Sequence, residues 1–229
     1  MTFCPLDFPL APTVTWADFE VILRGLLERE TARLEAFSDG VFAIAITLLI
    51  LEIHVPELRI ESNGNLLSAL GRLWPSFAAF VLSFFVVLLI WVNHHELFRM
   101  VRGVDRRLLF ANGLLLLMVT FVPFPTAMLA RYFHTPAENA AAFCCGTFLV
   151  SSICHNFLFE TVAHNRRLLR ADVGNQEISR IRRSYHFGLG VYSLSVLVAI
   201  WSAVGGLVIS GALWLLWATL RYGSNGRKV

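Results

Sequence analysis

The sequence predicts an all-α polytopic membrane protein with six transmembrane helices. Hydrophobic residues make up 56% of its 229 residues and charged residues only 15%, and the mean hydropathy is +0.64. Soluble domains carry about 25% charged residues, so a soluble fold is excluded. The apolar content also excludes a disordered chain. A transmembrane helix needs about 20 apolar residues, which leaves room for about six spans and no separate soluble domain. Helices satisfy their own backbone hydrogen bonds in lipid, so each span is predicted to be α-helical.

Residues 1–32 are predicted to form an N-terminal amphipathic cytoplasmic extension. Apolar residues recur at near-helical spacing between Trp16 and Leu27, with charged residues between them. This pattern is typical of a helix that lies on the membrane surface or packs on a partner, although a functionless extension fits equally well. No cleavable signal peptide is expected, since the first ten residues lack a basic region. Residues 33–222 form the predicted six-helix unit, and residues 223–229 form a short cytoplasmic tail.

The six predicted spans are joined by short connections. Their approximate bounds are 33–55, 66–98, 108–132, 137–164, 185–203 and, after a glycine pair, 207–222. Pro75 lies near the start of the second span, and Pro123 and Pro125 lie late in the third.

Small residues mark the last two spans. Gly205 and Gly206 predict a tight break between the fifth and sixth helices. Ser195, Ala199 and Ala203 recur every four residues and form a small-residue stripe, which permits close helix contact either within or between subunits.

The placement of basic residues predicts the orientation in the membrane. Sixteen of the 19 Lys and Arg residues lie in the N-terminal segment, the second and fourth connections and the tail. The opposite side has only Arg59, Arg72 and Arg131. Basic residues concentrate on the cytoplasmic side of membrane proteins. We therefore expect a multi-pass protein of the inner or plasma membrane, with an even number of spans and both termini in the cytoplasm.

The first span contains an acidic residue, Asp39. A charged group within a span must face protein or water rather than lipid. Arg33 lies six residues away on another part of the helix surface, so a partner on a second helix is expected. The second span ends in polar and aromatic side chains at the same depth: Trp91, Asn93, His94 and His95. They predict a buried network that joins helices one and two. A set of polar residues at the membrane interface is the alternative.

Beyond Gly40 the first span is apolar. Ile44, Leu48 and Leu51 follow the spacing i, i+4, i+7 and form one stripe, with Asp39 and Glu52 at its two ends. Such a stripe usually packs against other helices. Acidic groups at both ends favour a different hypothesis, a pore in which they concentrate cations around a hydrophobic constriction.

Three motifs carry a resemblance to a known family. They are Arg33-x-x-x-Phe37-Ser38-Asp39-Gly40, Trp91-Val-Asn-His94-His95 and Pro123-Phe-Pro125-Thr126-Ala127. They resemble the transmembrane protein 175 family of potassium channels, over essentially the whole chain beyond residue 32. Prokaryotic members of that family have one six-helix unit per chain and form homotetramers. The resemblance therefore implies a pore lined by the first helix of each of four subunits, without a carbonyl selectivity filter.

The same resemblance implies roles for individual residues. Ile44 corresponds to the family's bottleneck isoleucine, Leu48 and Leu51 to further apolar pore layers, and Thr47 to a polar position linked to potassium preference. Permeant K⁺ is therefore expected near Ile44 and Thr47, with no other cofactor. The residues implied to position and gate the first helix are Arg33, Phe37, Ser38, Asp39, Gly40, Trp91, His94 and His95. Physical argument adds that one helix cannot enclose a pore, so subunits must meet around an axis.

The predicted activity is a leak-type channel of moderate potassium selectivity, because alkyl side chains offer a dehydrating ion few ligands. An enzyme is not expected, since the adjacent His94 and His95 point about 100° apart and no metal-binding motif is present. Nucleic acid is not an expected partner, since no basic soluble surface exists. The alternatives are a proton-permeable channel and a proton-coupled secondary transporter, although no inverted repeat supports the transporter.

Overall fold

A computed structural model describes residues 16–55, 66–133 and 137–222 of the chain. These residues are helical, with short connections and no strand. The helices are α1 (Trp16–Leu48), α2 (Leu66–Arg72), α3 (Trp74–Phe98), α4 (Arg106–Phe121), α5 (Pro123–Arg131), α6 (Ala137–His164), α7 (Asn175–Ala199) and α8 (Ala203–Tyr222), and a 3₁₀ turn (Leu49–Glu52) follows α1. The all-α prediction is therefore confirmed. Residues 1–15 of the predicted extension and the predicted tail, 223–229, lie outside the described residues.

The first helix is longer than the predicted first span. α1 has 33 residues and continues without a break across the predicted boundary at residue 32. At 1.5 Å per residue it is about 50 Å long, whereas the hydrocarbon core of a bilayer is about 30 Å thick. The described part of the extension, residues 16–32, is thus continuous with the first span.

Proline divides the second and third predicted spans. α2 and α3 are separated at Leu73, where Pro75 occupies the first turn of α3. α4 and α5 meet at Val122, whose N–H bonds to the carbonyl of Val119 at 3.2 Å because Pro123 has no N–H to offer. The predicted fourth span, 137–164, is confirmed by α6.

The predicted break at the glycine pair is wrong. The chain turns at residues 200–202, and both glycines lie in the first turn of α8. Ser202 determines the start of α8, because its hydroxyl oxygen accepts the N–H of Gly205 at 3.1 Å as an N-cap. A Cβ atom on Gly206 would lie 2.5 Å from the Cβ of Ala199. The glycine therefore permits α8 to pack closely on α7. The small-residue stripe is buried at this contact within the chain, with Ala203 on α8 rather than on the fifth helix.

Four stretches of the described residues are long and apolar enough to cross a membrane. They are Arg29–Glu52, Trp74–Phe98, Arg106–Arg131 and Ala137–His164. α7 is not among them, since charged residues occupy its first half, and the described apolar part of α8, Ala203–Leu213, is short.

α7 nevertheless runs antiparallel along α6. Glu160 accepts two hydrogen bonds from Arg182, at 2.6 and 2.7 Å. Further along, His155 contacts the Tyr185 hydroxyl at 3.1 Å, and the ring of Phe148 lies 6.5 Å from that of Tyr192. The numbering falls on α6 as it rises on α7, so the two helices are paired from Glu160 to Phe148 of α6.

The ends of the helices meet in two joined connections. The N–H of Arg102 donates to the carbonyl of Leu168 at 2.8 Å, and the N–H of Arg170 donates to that of Met100 at 2.9 Å. These bonds hold the connection after α3 against the connection after α6.

Candidate pore and polar network

α1 has one buried and one open face in its second half. Phe42 and Ala45 are each 1% exposed on α1, which packs against α3 and α4, and Leu49, in the 3₁₀ turn that packs against α3 and α5, is 0% exposed. On the other side, Ile44 is 60% exposed and Leu51 is 67% exposed. An apolar side chain of this size gains about 1.5–3 kcal/mol on burial from water. The open face is therefore expected to be covered by lipid or by another polypeptide.

The open face of α1 consists of Phe37, Gly40, Ile44, Thr47, Leu48 and Leu51, all exposed. The 3₁₀ turn extends it beyond the α-helix. Three residues complete a turn of a 3₁₀ helix, so Leu51 lies nearly above Leu48. The predicted constriction residues thus share one side of the subunit surface.

Thr47 supplies a polar group on this apolar surface. Its hydroxyl donates to the carbonyl of Ile44 at 2.9 Å. The proton is therefore turned towards the helix backbone, while the lone pairs of the oxygen remain available on the open face. Such an oxygen is a suitable ligand for a cation such as K⁺.

A chain of hydrogen bonds joins three helices beneath the buried face. The amide of Asn112 on α4 donates to the Ser38 hydroxyl oxygen at 2.9 Å, and the amide oxygen lies 2.8 Å from His94 Nε2. Ser38 in turn donates to the carbonyl of Leu34 at 2.8 Å. Ser38 and His94 are 0% exposed and Asn112 is 1% exposed.

The donor order fixes the protonation of His94. Ser38 has a single proton, which it gives to Leu34, so Asn112 must donate to Ser38 through its amino group and accept through its oxygen. His94 therefore carries its proton on Nε2. Its ring stacks on Phe98 at 4.3 Å, and its Nδ1 is buried without a hydrogen-bond partner among the described residues.

A second link joins α1 to α3. The indole N–H of Trp91 donates to an Asp39 carboxylate oxygen at 2.8 Å. The Trp91 ring stacks on His95 at 5.8 Å, and His95 Nδ1 lies 3.0 Å from a carboxylate oxygen of Glu35. Asp39 on the first span thus has its partner, Trp91, on the second span.

Comparisons with known proteins assign this arrangement to a family. A profile described as "Endosomal/lysosomal potassium channel TMEM175" matches residues 33–123. A potassium channel of Chamaesiphon minutus is 47% identical over 182 residues, which cover 78% of this chain and 90% of that protein. A potassium channel of Streptomyces collinus is 43% identical over 202 residues, covering 86% and 93%. The chain belongs to the TMEM175 family. The predicted resemblance is therefore confirmed.

A solved structure and a mammalian relative agree with the membership in the TMEM175 family. The crystal structure of a lysosomal potassium-selective channel TMEM175 homologue from Chamaesiphon minutus superposes with a TM-score of 0.76 at 43% identity, covering 84% of this chain and 98% of that one. Mouse endosomal/lysosomal proton channel TMEM175 is 34% identical over 178 residues, which span 35% of its length and 73% of this chain.

Within the TMEM175 match, the structure brings some predicted residues together and leaves others apart. Asp39 meets Trp91 as expected of a partner on another helix, whereas Ser38 meets Asn112 on the third span rather than a group on the second. Arg33 is exposed, and no carboxylate within the described ranges forms an ion pair with it. Gly40 is exposed on the open face.

Sequence reasoning missed Glu35 and Asn112. Asn112 was detectable, because it is an amide within the apolar run of α4, and polar side chains in membrane helices hydrogen-bond across to neighbours. Glu35 gave no such signal at the charged start of the span. No group of His, Cys, Asp or Glu in the described part of the chain is arranged to hold a metal ion.

Proposed function

We propose that this protein is a subunit of a potassium-permeable cation channel in the cell membrane, with the pore lined by α1. The observation that carries the proposal is the open face of α1, an apolar stripe with one hydroxyl group opposite a tightly buried face. The bacterial relatives named as potassium channels support K⁺ as the permeant ion.

The open face requires further copies of the chain. One helix cannot surround an ion, and cyclic symmetry is the usual way in which identical subunits enclose an axis. We infer a homotetramer in which the four open faces meet around the pore. Ile44 forms the narrowest layer, and Leu48 and Leu51 form further apolar layers above it.

Selectivity in this arrangement is moderate. Alkyl side chains replace few of the water ligands that an ion loses at a constriction. The Thr47 hydroxyl, one turn beyond Ile44, offers an oxygen ligand from each subunit. Such a pore conducts as a leak, with a preference for K⁺ that depends on the layer formed by Ile44 and Thr47.

Six membrane helices per subunit fit the packing of α7 and α8. α7 packs along α6, which is itself a candidate span, from Glu160 to Phe148. Ser210 on α8 lies 3.6 Å from Cys145, eight residues into α6. These contacts with a helix that is apolar enough to span the membrane support the placement of both α7 and α8 at membrane depth. Together with the arginine distribution, this supports six spans with both termini in the cytoplasm.

The test replaces the constriction residue in purified, reconstituted channels. In Ile44→Ser, the new hydroxyl group stabilises the ion at the constriction by about 1 kcal/mol. This lowers the barrier to permeation, so the potassium conductance is expected to rise about fivefold. The ratio of K⁺ to Na⁺ permeability falls, because the layer is wider. Leu117→Ser is the matched control, since Leu117 is 62% exposed but lies on α4 rather than on α1.

Two results would contradict the proposal. Unchanged single-channel currents in Ile44→Ser, Leu48→Ser and Leu51→Ser would remove α1 from the pore. Currents that require a second solute would indicate a transporter. The relatives named as proton channels favour a second candidate, a proton-permeable pore. Acidification of vesicles in a potassium-free proton gradient, measured with a pH-sensitive dye, distinguishes it.

A further inference from the structure

A groove lies between the start of α4 and the end of α6, outside the proposed pore. It has a volume of about 810 Å³. Its apolar part is formed by Phe110 and Phe157, which are 68% and 55% exposed. Arg107, Thr161 and His164 line its polar part.

The charged groups in and beside this groove have a small positive sum, because Arg182 balances Glu160, and Arg106 and Arg107 outnumber Asp105. The two carboxylates that line it are already engaged. Asp105 accepts the N–H of Leu108 at 2.7 Å as the N-cap of α4 and contacts the Asn165 amide at 3.2 Å. Both oxygens of Glu160 are taken by Arg182.

By contrast, Arg107 is exposed and forms no ion pair with any described carboxylate. The guanidinium of the neighbouring Arg106 lies over the Phe110 ring, 5.7 Å from its centre. Two cationic groups therefore border the apolar part of the groove without an acidic partner in it.

The depth of the groove matches the boundary between the headgroups and the acyl chains of a bilayer. Phe110 is four residues into α4, about 6 Å along its axis, and Phe157 is seven residues before the end of α6, about 10 Å along. Amphipathic groups at the membrane surface bury their apolar part about 5–10 Å below the headgroups. By the arginine distribution, this surface is the cytoplasmic leaflet.

We propose that the groove binds one anionic phospholipid of the cytoplasmic leaflet. Its phosphate accepts hydrogen bonds from Arg107, and its acyl chain lies across Phe110 and Phe157. The proposal uses the membrane placement of α4 and α6 but not the pore, so a failure of lipid binding is distinguishable from a failure of ion conduction.

The experiment measures lipid retained by the purified full-length protein, by native mass spectrometry with added phosphatidylglycerol or phosphatidylcholine. Phosphatidylglycerol is expected at one molecule per subunit, with weaker retention of phosphatidylcholine. A basic residue near the membrane surface contributes about 1 kcal/mol to binding of anionic lipid, so Arg107→Gln weakens retention about fivefold. Arg99→Gln is the control, because it removes the same charge just after α3, outside the groove, where Arg99 pairs with Glu96 at 3.3 Å.

A second variant tests the groove itself. Thr161→Trp fills the space with a large ring and is expected to abolish retention of phosphatidylglycerol, whereas Ile153→Trp, at an exposed position further along α6, leaves it unchanged. Equal losses in Arg107→Gln and Arg99→Gln would indicate diffuse surface attraction and overturn the proposal. Unaltered retention in Thr161→Trp, or equal retention of the two lipids, would do the same.

Discussion

Among single residues, Asn112 connects more of the fold than its position in an apolar helix suggests. It bonds to Ser38 on α1 and to His94 on α3, and none of the three side chains reaches solvent. Replacing it removes both of these hydrogen bonds and leaves the buried His94 ring without a partner among the described residues, whereas Ser38 keeps its bond to Leu34. Because the helix that carries the open face is held through Ser38, the loss affects the placement of the proposed pore.

Asn112→Leu is therefore expected to destabilise the subunit. A side-chain hydrogen bond between membrane helices contributes about 0.6–2 kcal/mol, so the loss of two costs about 1–4 kcal/mol. The measurement is the midpoint of heat-induced loss of assembled protein in detergent. Asn156→Leu is the control, since within the described part of the chain Asn156 bonds only to the carbonyl of Ser152 in its own helix, at 2.9 Å. Equal midpoints for the two variants would show that the chain of hydrogen bonds does not stabilise the fold.

Between helices, the contact of α7 with α8 depends on Gly206. A methyl group there would lie 2.5 Å from the Cβ of Ala199 and 2.8 Å from the carbonyl oxygen of Ser195. The second clash is with backbone, so the helices must separate to relieve it. Gly190, on α7, is exposed and has open space around its Cβ position.

The two glycines are predicted to respond to alanine with opposite sign. Gly190→Ala raises the unfolding midpoint, because alanine favours a helix over glycine by about 0.8–1 kcal/mol. Gly206→Ala lowers it, because overpacking costs about 1–3 kcal/mol and exceeds that gain. Denaturant or thermal unfolding of both variants in the same detergent measures the difference. A rise in both midpoints would mean that α7 and α8 are not tightly packed at this point.

The helices were predictable where composition decides them, and less so where contacts do. α6 has its predicted bounds because its apolar run has charged or polar ends. The prolines indicated where the second and third spans are divided. The glycine pair was misinterpreted, because glycine serves both turns and close packing, and only the neighbouring helix distinguishes them. The cap at Ser202 was the available signal for the turn.

The candidate site was predictable in the same unequal way. The spacing of Ile44, Leu48 and Leu51 placed them on one side of α1, because helical geometry is local. The partner of Asp39 followed from depth in the membrane. Asn112 was missed because a partner on a third helix depends on how helices pack, which periodicity along one helix does not contain.

For the subunit as a whole, the number of spans decides which surfaces face which compartment. The arginine distribution requires an even number of spans, a condition that four and six both meet. In both arrangements the connection after α6 is cytoplasmic. They differ at the turn between α7 and α8, which lies outside the cell only if both helices cross.

Labelling of Trp201→Cys distinguishes the two arrangements. Trp201 lies in that turn and is 83% exposed. In intact cells producing a Cys4→Ser background, a membrane-impermeant maleimide is expected to label Trp201→Cys, because α7 follows α6 across the membrane and α8 returns beside it. Tyr132→Cys, at the outer end of the third span, is the positive control, and Arg170→Cys, in the cytoplasmic connection, requires lysis. Labelling of Trp201→Cys only after lysis would place α7 and α8 on the cytoplasmic side and reduce the subunit to four spans.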